Sequence, residues 1–233
     1  MSKVLFLLGH FGVGGVERVT VVLAQEFVRR GYGVMICAFK IDDWSLLERL
    51  DPRIVVKELG DGWMNAANRA KFREFVIERE IGIVINQWAV PYPVTRFIRK
   101  STKGLGIKLI AVHHNLPTAN KRIQDAKNPF VRLAWKVLTS ASLRLVYEFS
   151  DRYVVLSESF VPVFTRITGL LRGRKLLAIP NPLTLDVVSR PKENVVLYVG
   201  RLEETQKRVS RVLDIWRRLA DLLPDWRLEI VGD

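Results

Sequence analysis

The apolar positions of this chain fall into short unbroken runs, separated by longer stretches in which apolar residues recur every three or four positions. The runs Val4–Leu8, Val34–Phe39, Ile54–Glu58, Ile83–Gln87, Lys108–Val112, Tyr153–Leu156 and Leu176–Ile179 are rich in Val, Ile and Leu. Alternation of apolar and polar residues would give a strand one wet face. A continuous apolar run instead predicts a strand covered on both faces, as in a parallel sheet. Helical patterns lie between the runs, at Gly15–Arg30, Ala66–Glu80, Pro93–Lys100, Pro129–Phe149 and Ser157–Thr168. In the first of these Val16, Val19, Val22, Leu23 and Phe27 share a face, and Gly31 stands just past its end as a stop signal. The alternation predicts an α/β fold: a parallel, Rossmann-like sheet with helices on both faces.

The segment Ile179-Pro-Asn-Pro-Leu183 interrupts this rhythm. Two prolines two positions apart fit neither a helix interior nor a central strand. A polar, basic stretch follows, and then a new strand–helix–strand pattern at Val195–Val199, Lys207–Leu222 and Leu228–Val231. The reading is a first domain over residues 1–185, a linker over 186–194 and the opening of a second α/β domain over 195–233. One βαβ unit of about 40 residues is too small to bury its own sheet. The expectation is therefore an incomplete second domain and a truncated chain.

Charge changes this picture in one region. Residues 1–95 hold 12 Lys and Arg against 11 Asp and Glu, residues 193–233 hold 7 against 8, and residues 96–192 hold 18 against 5. The middle region thus carries the whole formal net charge of +13. A field concentrated in this way attracts anionic lipid surfaces, nucleic acid or phosphorylated substrates. Within it, Lys121 to Tyr147 interleaves basic residues with Phe130, Leu133, Trp135, Val137, Leu138 and Leu143, a pattern suited to a membrane interface. No RNA-type aromatic motif or DNA-recognition helix accompanies it, so no nucleic-acid partner is expected. No apolar stretch is long enough to span a bilayer, and the apolar start of the chain reads as a first strand rather than a signal peptide. The only cysteine, Cys37, lies in an apolar run, which leaves no disulfide framework or zinc site and points to a reducing, cytoplasmic setting. With three histidines and no ligand spacing, no metal site is expected.

Three segments carry candidate chemistry. In Val196-Leu-Tyr-Val-Gly-Arg-Leu-Glu-Glu-Thr-Gln-Lys207, an apolar run ends in Gly200, Arg201 follows, and Lys207 comes where an amphipathic helix begins. Two cations beside a helix N-terminus suit a diphosphate, and a nucleotide-linked donor is the simplest such ligand. In Gly9-His-Phe-Gly-Val-Gly-Gly-Val-Glu-Arg18, four glycines in seven positions open the first helix, so backbone N–H groups can approach a phosphate or sugar closely. The dinucleotide pattern G-x-G-x-x-G fails because Glu17 stands at its third glycine, and no P-loop Lys-Ser/Thr follows. In Val112-His-His-Asn-Leu-Pro117, polar residues stand at the carboxyl end of a strand, where open α/β sheets bind ligands.

Taken together, Gly200-Arg-Leu with Lys207, the Gly14-Gly15-x-Glu17-Arg18 segment, Ser157-Glu158 and Asn181-Pro182 resemble retaining glycosyltransferases of the GT-B fold, specifically the large family-four group. The resemblance implies that Arg201 and Lys207, with Gly14 and Gly15 on the opposite wall, bind the donor diphosphate of a UDP- or GDP-sugar. It implies that His114 is the catalytic-site histidine, orienting sugar or acceptor. Asn115, Glu17 and His10 then contact acceptor or sugar. It implies no protein nucleophile and no metal cofactor, a donor phosphate oxygen taking the acceptor proton. The acceptor would be a glycan, a lipid-linked saccharide or an envelope polysaccharide, built at the inner face of the plasma membrane. One residue departs from the pattern: Arg208 stands where the family often has glycine. The absence of the region with two spaced glutamates predicts weak or no transferase activity for this chain alone. Two rivals are a non-catalytic sugar- or membrane-binding module of the same fold, and a nicotinamide-dependent enzyme in which Asp42-Asp43 would hold a ribose.

Overall fold

A computed structural model describes residues 3–60, 63–118, 121–171, 173–183, 191–204 and 207–232; of the side chains at 121 and 124 nothing is stated. The chain divides into two compact units, residues 1–184 and 185–233. Strands of the first unit are β1 (Lys3–Phe11), β2 (Gly33–Ile41), β3 (Val55–Glu58), β4 (Ile81–Asn86), β5 (Lys108–His113), β6 (Arg152–Val155) and β7 (Leu176–Ala178). Its helices are α1 (Gly15–Arg29), α2 (Ala66–Glu78), α3 (Tyr92–Ser101), α4 (Lys121–Asp125), α5 (Pro129–Glu148) and α6 (Phe160–Thr168). The second unit holds β8 (Val195–Val199), α7 (Val209–Leu219) and β9 (Arg227–Val231).

All seven strands of the first unit pair in parallel, in the order β3-β2-β1-β4-β5-β6-β7. The chain builds outward from β1 through β2 and β3, then crosses back to lay β4 on the other side of β1. The carboxyl ends of β1 and β4 therefore form the topological switch point, where the crossovers diverge and leave a crevice.

The unbroken apolar runs have a direct physical cause. Successive side chains of a strand point to opposite faces. Leu5 and Leu7 pack with Met35, Cys37 and Phe39 against Phe72 and Phe75 of α2 and Phe97 and Ile98 of α3. Val4, Phe6 and Leu8 pack with Val34, Ile36 and Ala38 against Ala24 and Val28 of α1 on the other face. A third cluster joins Leu143, Val146 and Tyr147 of α5 and Val161 and Phe164 of α6 to Tyr153 of β6.

Several local expectations shift. β1 runs through Gly9 and His10 to Phe11, pairing His10 with Lys40 and Phe11 with Ile41, so His10 stands on a strand and not in the Gly-rich turn. The short helix α4 was not legible in the periodicity. Ser157 does not cap α6: the helix starts at Phe160, and the Ser157 hydroxyl instead accepts the Ser159 amide at 3.2 Å in the preceding turn. The expected linker over 186–194 lies in part outside the described residues. No described helix is long and apolar enough to cross a membrane.

In the second unit β8 and β9 pair in parallel across α7. Only Val209 of α7 is buried, while Leu197, Val199, Leu213 and Ile215 are exposed.

Candidate active site

The switch point holds a cavity of about 240 Å³ lined by Leu8, Gly9, His10, Val16, Glu17, Gln87 and Trp88. It is built from three pieces of backbone: the end of β1, the first turn of α1 and the residues just after β4. Gly9 is buried, and a Cβ there would meet the Trp88 indole, so the strand end and the ring are in close contact. Trp88 lies 5.0 Å from the Trp63 ring, which is itself 5.7 Å from Phe39 and 5.1 Å from the His10 imidazole. Trp63 holds φ at +45°, a left-handed conformation unusual for a bulky side chain, and is 40% exposed. The site thus combines ring faces with hydroxyl-binding groups.

His10 is exposed, and its Nδ1 lies 2.9 Å from Asp42 Oδ2; the other Asp42 oxygen takes the Lys40 ammonium at 2.8 Å. Lys40 first, and His10 after it, hold the Asp42 carboxyl below its usual range. Asp42 is therefore committed to fixing His10. That engagement weighs against the ribose-binding role of the nicotinamide alternative.

His114 leaves the end of β5 and reaches back across the sheet to Gln87, with Nε2 2.7 Å from Oε1. With the amide oxygen as acceptor, His114 carries its proton on Nε2 and presents a bare Nδ1. That Nδ1 and the Gln87 Nε2 are both buried without a hydrogen-bond partner among the described residues. The pair offers one acceptor and one amide donor, the complement of a hydroxyl. Burial pulls the His114 pKa down to about 4, so the imidazole is neutral at physiological pH. His113 is likewise lowered to about 4, by burial first and by its neighbour His114 second, and its Nδ1 is hydrogen-bonded to the buried Tyr153 hydroxyl at 3.0 Å. Asn115 is exposed on the loop beyond.

Glu17 lies in the first turn of α1, where a carboxylate is favoured by the helix dipole. Its Oε2 occupies the space beside Gly14 that a Cβ would need. An anion approaching Gly14 and Gly15 meets this carboxylate.

In the second unit, Gly200 follows β8 and donates its N–H to Val231 O at 3.0 Å, extending the strand pairing to the residue before Arg201. The Lys207 stem folds back onto this point: a Cβ on Gly200 would lie 3.8 Å from Lys207 Cδ. Arg201 and Lys207 are both exposed at this one corner, Arg201 with Glu203 Oε2 3.5 Å from its Nη2. The helix contributes differently from expectation. It starts at Val209, two residues after Lys207, and its N-terminus is occupied by Glu204, whose carboxylate takes the Ser210 amide at 2.8 Å and the Ser210 hydroxyl at 2.7 Å. Glu204 thus takes one helix amide, and the two cations stand exposed to an anion at this corner.

Arg208 sits at φ +52° and ψ +54°, in the left-handed region that favours glycine. The departure from the family pattern is thus absorbed as backbone strain. Arg208→Gly is expected to stabilise the second unit by about 1 kcal/mol, read from denaturant unfolding; a loss of stability would show that the arginine side chain outweighs the strain.

Gln87 and Trp88 were missed in the sequence, although a polar pair closing the apolar run Ile83–Ile85 was the available signal.

A doubly covered parallel sheet with a crevice at its switch point, followed by a second βαβ unit, is the architecture of GT-B glycosyltransferases. Residues 13–187 match the family model described as Glycosyltransferase Family 4, and the chain belongs to that family. It is similar to an uncharacterized glycosyltransferase of Haemophilus influenzae, 24% identical over 243 residues, a match covering 100% of this chain and 62% of that protein. The chain thus spans about 62% of the length of this curated relative. Among solved structures, HepE of Anabaena in complex with UDP-glucose superposes with a TM-score of 0.62 at 14% identity, covering 100% of this chain and 69% of that one. A TarM variant of S. aureus, in complex with Fondaparinux, alpha-GlcNAc-glycerol and UDP, gives a TM-score of 0.69 at 10% identity, covering 100% and 72%.

Proposed function

We propose that this chain serves sugar transfer from a nucleotide-sugar donor, of UDP or GDP type, to a hydroxyl acceptor with retention of configuration. The observation that carries the reading is the switch-point cavity, where Gly9, His10, Glu17, Gln87 and Trp88 meet and His114 is bonded to Gln87. UDP in the complexes of both HepE and TarM favours the uridine donor.

In this reading the acceptor hydroxyl oxygen bonds to the anomeric carbon as the bond from that carbon to the diphosphate oxygen breaks. The acceptor proton passes to a donor phosphate oxygen. Charge grows on the leaving diphosphate, and Arg201 and Lys207 neutralise it. These two cations supply what a metal ion would otherwise supply. His114, held neutral by burial, orients a hydroxyl through Nδ1 while Gln87 donates to it. The half-exposed Trp63 and Trp88 rings offer apolar faces to a sugar ring. Because Glu17 repels an anion at Gly14, the glycine wall fits the sugar end of the donor or the acceptor better than the diphosphate.

Calorimetric titration of this chain with UDP, GDP and their sugars tests the assignment. Arg201→Ala is expected to weaken nucleotide binding by about ten- to a hundredfold, the worth of a hydrogen bond to a charged group. Gln87→Leu is expected to leave UDP binding unchanged and to weaken the contribution of the sugar. Absence of any nucleotide binding, or equal loss in both variants, would overturn it.

A further inference from the structure

We propose that the first half of α5 is a docking surface that inserts into the headgroup region of an anionic lipid bilayer. The helix has two halves of opposite character. From Leu143 onward it is anchored, with Leu143, Val146 and Tyr147 buried against α6 and β6. From Pro129 to Leu138 every residue except Trp135 is exposed. Those exposed residues are apolar where a soluble surface helix would be polar: Phe130 is 81% exposed, Leu133 59%, Val137 60% and Leu138 56%. Phe130, Leu133 and Val137 stand at i, i+3 and i+7 and form one stripe; Val131 and Leu138 widen it on one flank. Nothing in the first unit covers this stripe among the described residues.

Charge decides what does cover it. Arg132 and Lys136 lie on the opposite flank of the helix, Lys127 stands just before it, and Arg122 of α4 lies 4.6 Å over the Trp135 ring. Only Asp125 and Glu148 oppose them between Lys121 and Glu148, within the region that carries the whole net charge of the chain. A second copy of the chain would bring two such cationic rims together, which like-charge repulsion disfavours. Nucleic acid would satisfy the charge but leave Phe130, Leu133 and Val137 in water. An anionic bilayer meets both demands: acyl chains take the stripe, and phosphate headgroups take the lysines and arginines.

The test needs no turnover, so its result does not depend on the transferase reading. The chain has one cysteine, Cys37, which is fully buried, so a cysteine placed elsewhere is labelled alone. Leu133→Cys carrying an environment-sensitive fluorophore is mixed with vesicles of phosphatidylcholine, or of equimolar phosphatidylcholine and phosphatidylglycerol. A blue shift and protection from an aqueous quencher are expected with the anionic vesicles alone; the same label at the exposed Glu78 on α2 is expected not to respond. In cosedimentation, Lys127→Glu, Arg132→Glu and Lys136→Glu together are expected to weaken vesicle binding by at least on the order of a hundredfold at low salt, with the circular dichroism spectrum retained. Equal binding to neutral vesicles, no binding to either, or a lipid-free dimer held through Leu133 would each overturn the proposal. So would nucleic-acid binding that survives Phe130→Ser, Leu133→Ser and Val137→Ser.

Discussion

Gly9→Val is expected to destabilise the protein by about 2–3 kcal/mol and to abolish sugar binding at the switch point. Gly9 is the closest-packed point of the site. It is buried on β1, and the space of a side chain is already filled by the Trp88 indole. That ring is held in a row of others. It packs on Trp63, Trp63 packs on Phe39, and Phe39 lies 5.1 Å from Phe97 in the core. A branched side chain at Gly9 must therefore push a row of rings or lift the end of β1 from β2. Gly12, three residues on, provides the contrast. A Cβ there meets nothing within 4 Å, so Gly12→Ala is expected to change stability by less than about 0.5 kcal/mol. Urea unfolding of the two variants beside the wild-type chain, with sugar titration of each, checks both. Equal stability of the two would show that Trp88 moves freely, and the cavity would lose its fixed wall.

Phe164→Ala is expected to cost about 3–5 kcal/mol. Phe164 on α6 is fully buried, with its ring 4.7 Å from Tyr153 and 5.9 Å from Tyr147. Truncation leaves a void beneath three elements at once, β6, α5 and α6, and aromatic rings cannot collapse into it without losing their mutual geometry. The loss reaches the site through Tyr153, whose hydroxyl is hydrogen-bonded to His113 Nδ1 and whose ring meets the His113 imidazole edge-on, next to His114. Denaturant unfolding measures the first effect. The second appears in the imidazole titration of His113, which burial now holds down at about 4 and which is expected to rise toward its ordinary value as water enters. A cost below about 1 kcal/mol would mean that α6 is only loosely attached.

The central strands β1 and β2 were legible because they are buried on both faces, which leaves almost no polar positions to blur the run. The partly exposed β3, β8 and β9 were legible from their Val, Ile and Leu content and the turn residues around them. Where neither signal was present, the reading failed. α4 is five residues long, too short for a periodic signal. The extension of β1 through His10 was hidden because an exposed side chain at the carboxyl end of the strand looks like a turn residue. At the site, His114, His10 and Glu17 were marked by their position near strand ends and a helix start. Gln87 was not, since its importance comes from a partner 27 residues away in sequence. Where the carboxylates at the two helix N-termini sit was not legible either: Glu17 lies beside Gly14, and Glu204 holds Ser210.

Hydrophobic periodicity, glycine placement and the imbalance of lysine and arginine determined the parallel sheet, the division near the two prolines and the basic middle region, because each is a local or additive property of the chain. Which residues meet at the crevice, which carboxylates fill the helix ends and which half of α5 stays uncovered were decided only in three dimensions. These depend on distances between segments far apart in sequence, and no local pattern encodes a distance of that kind.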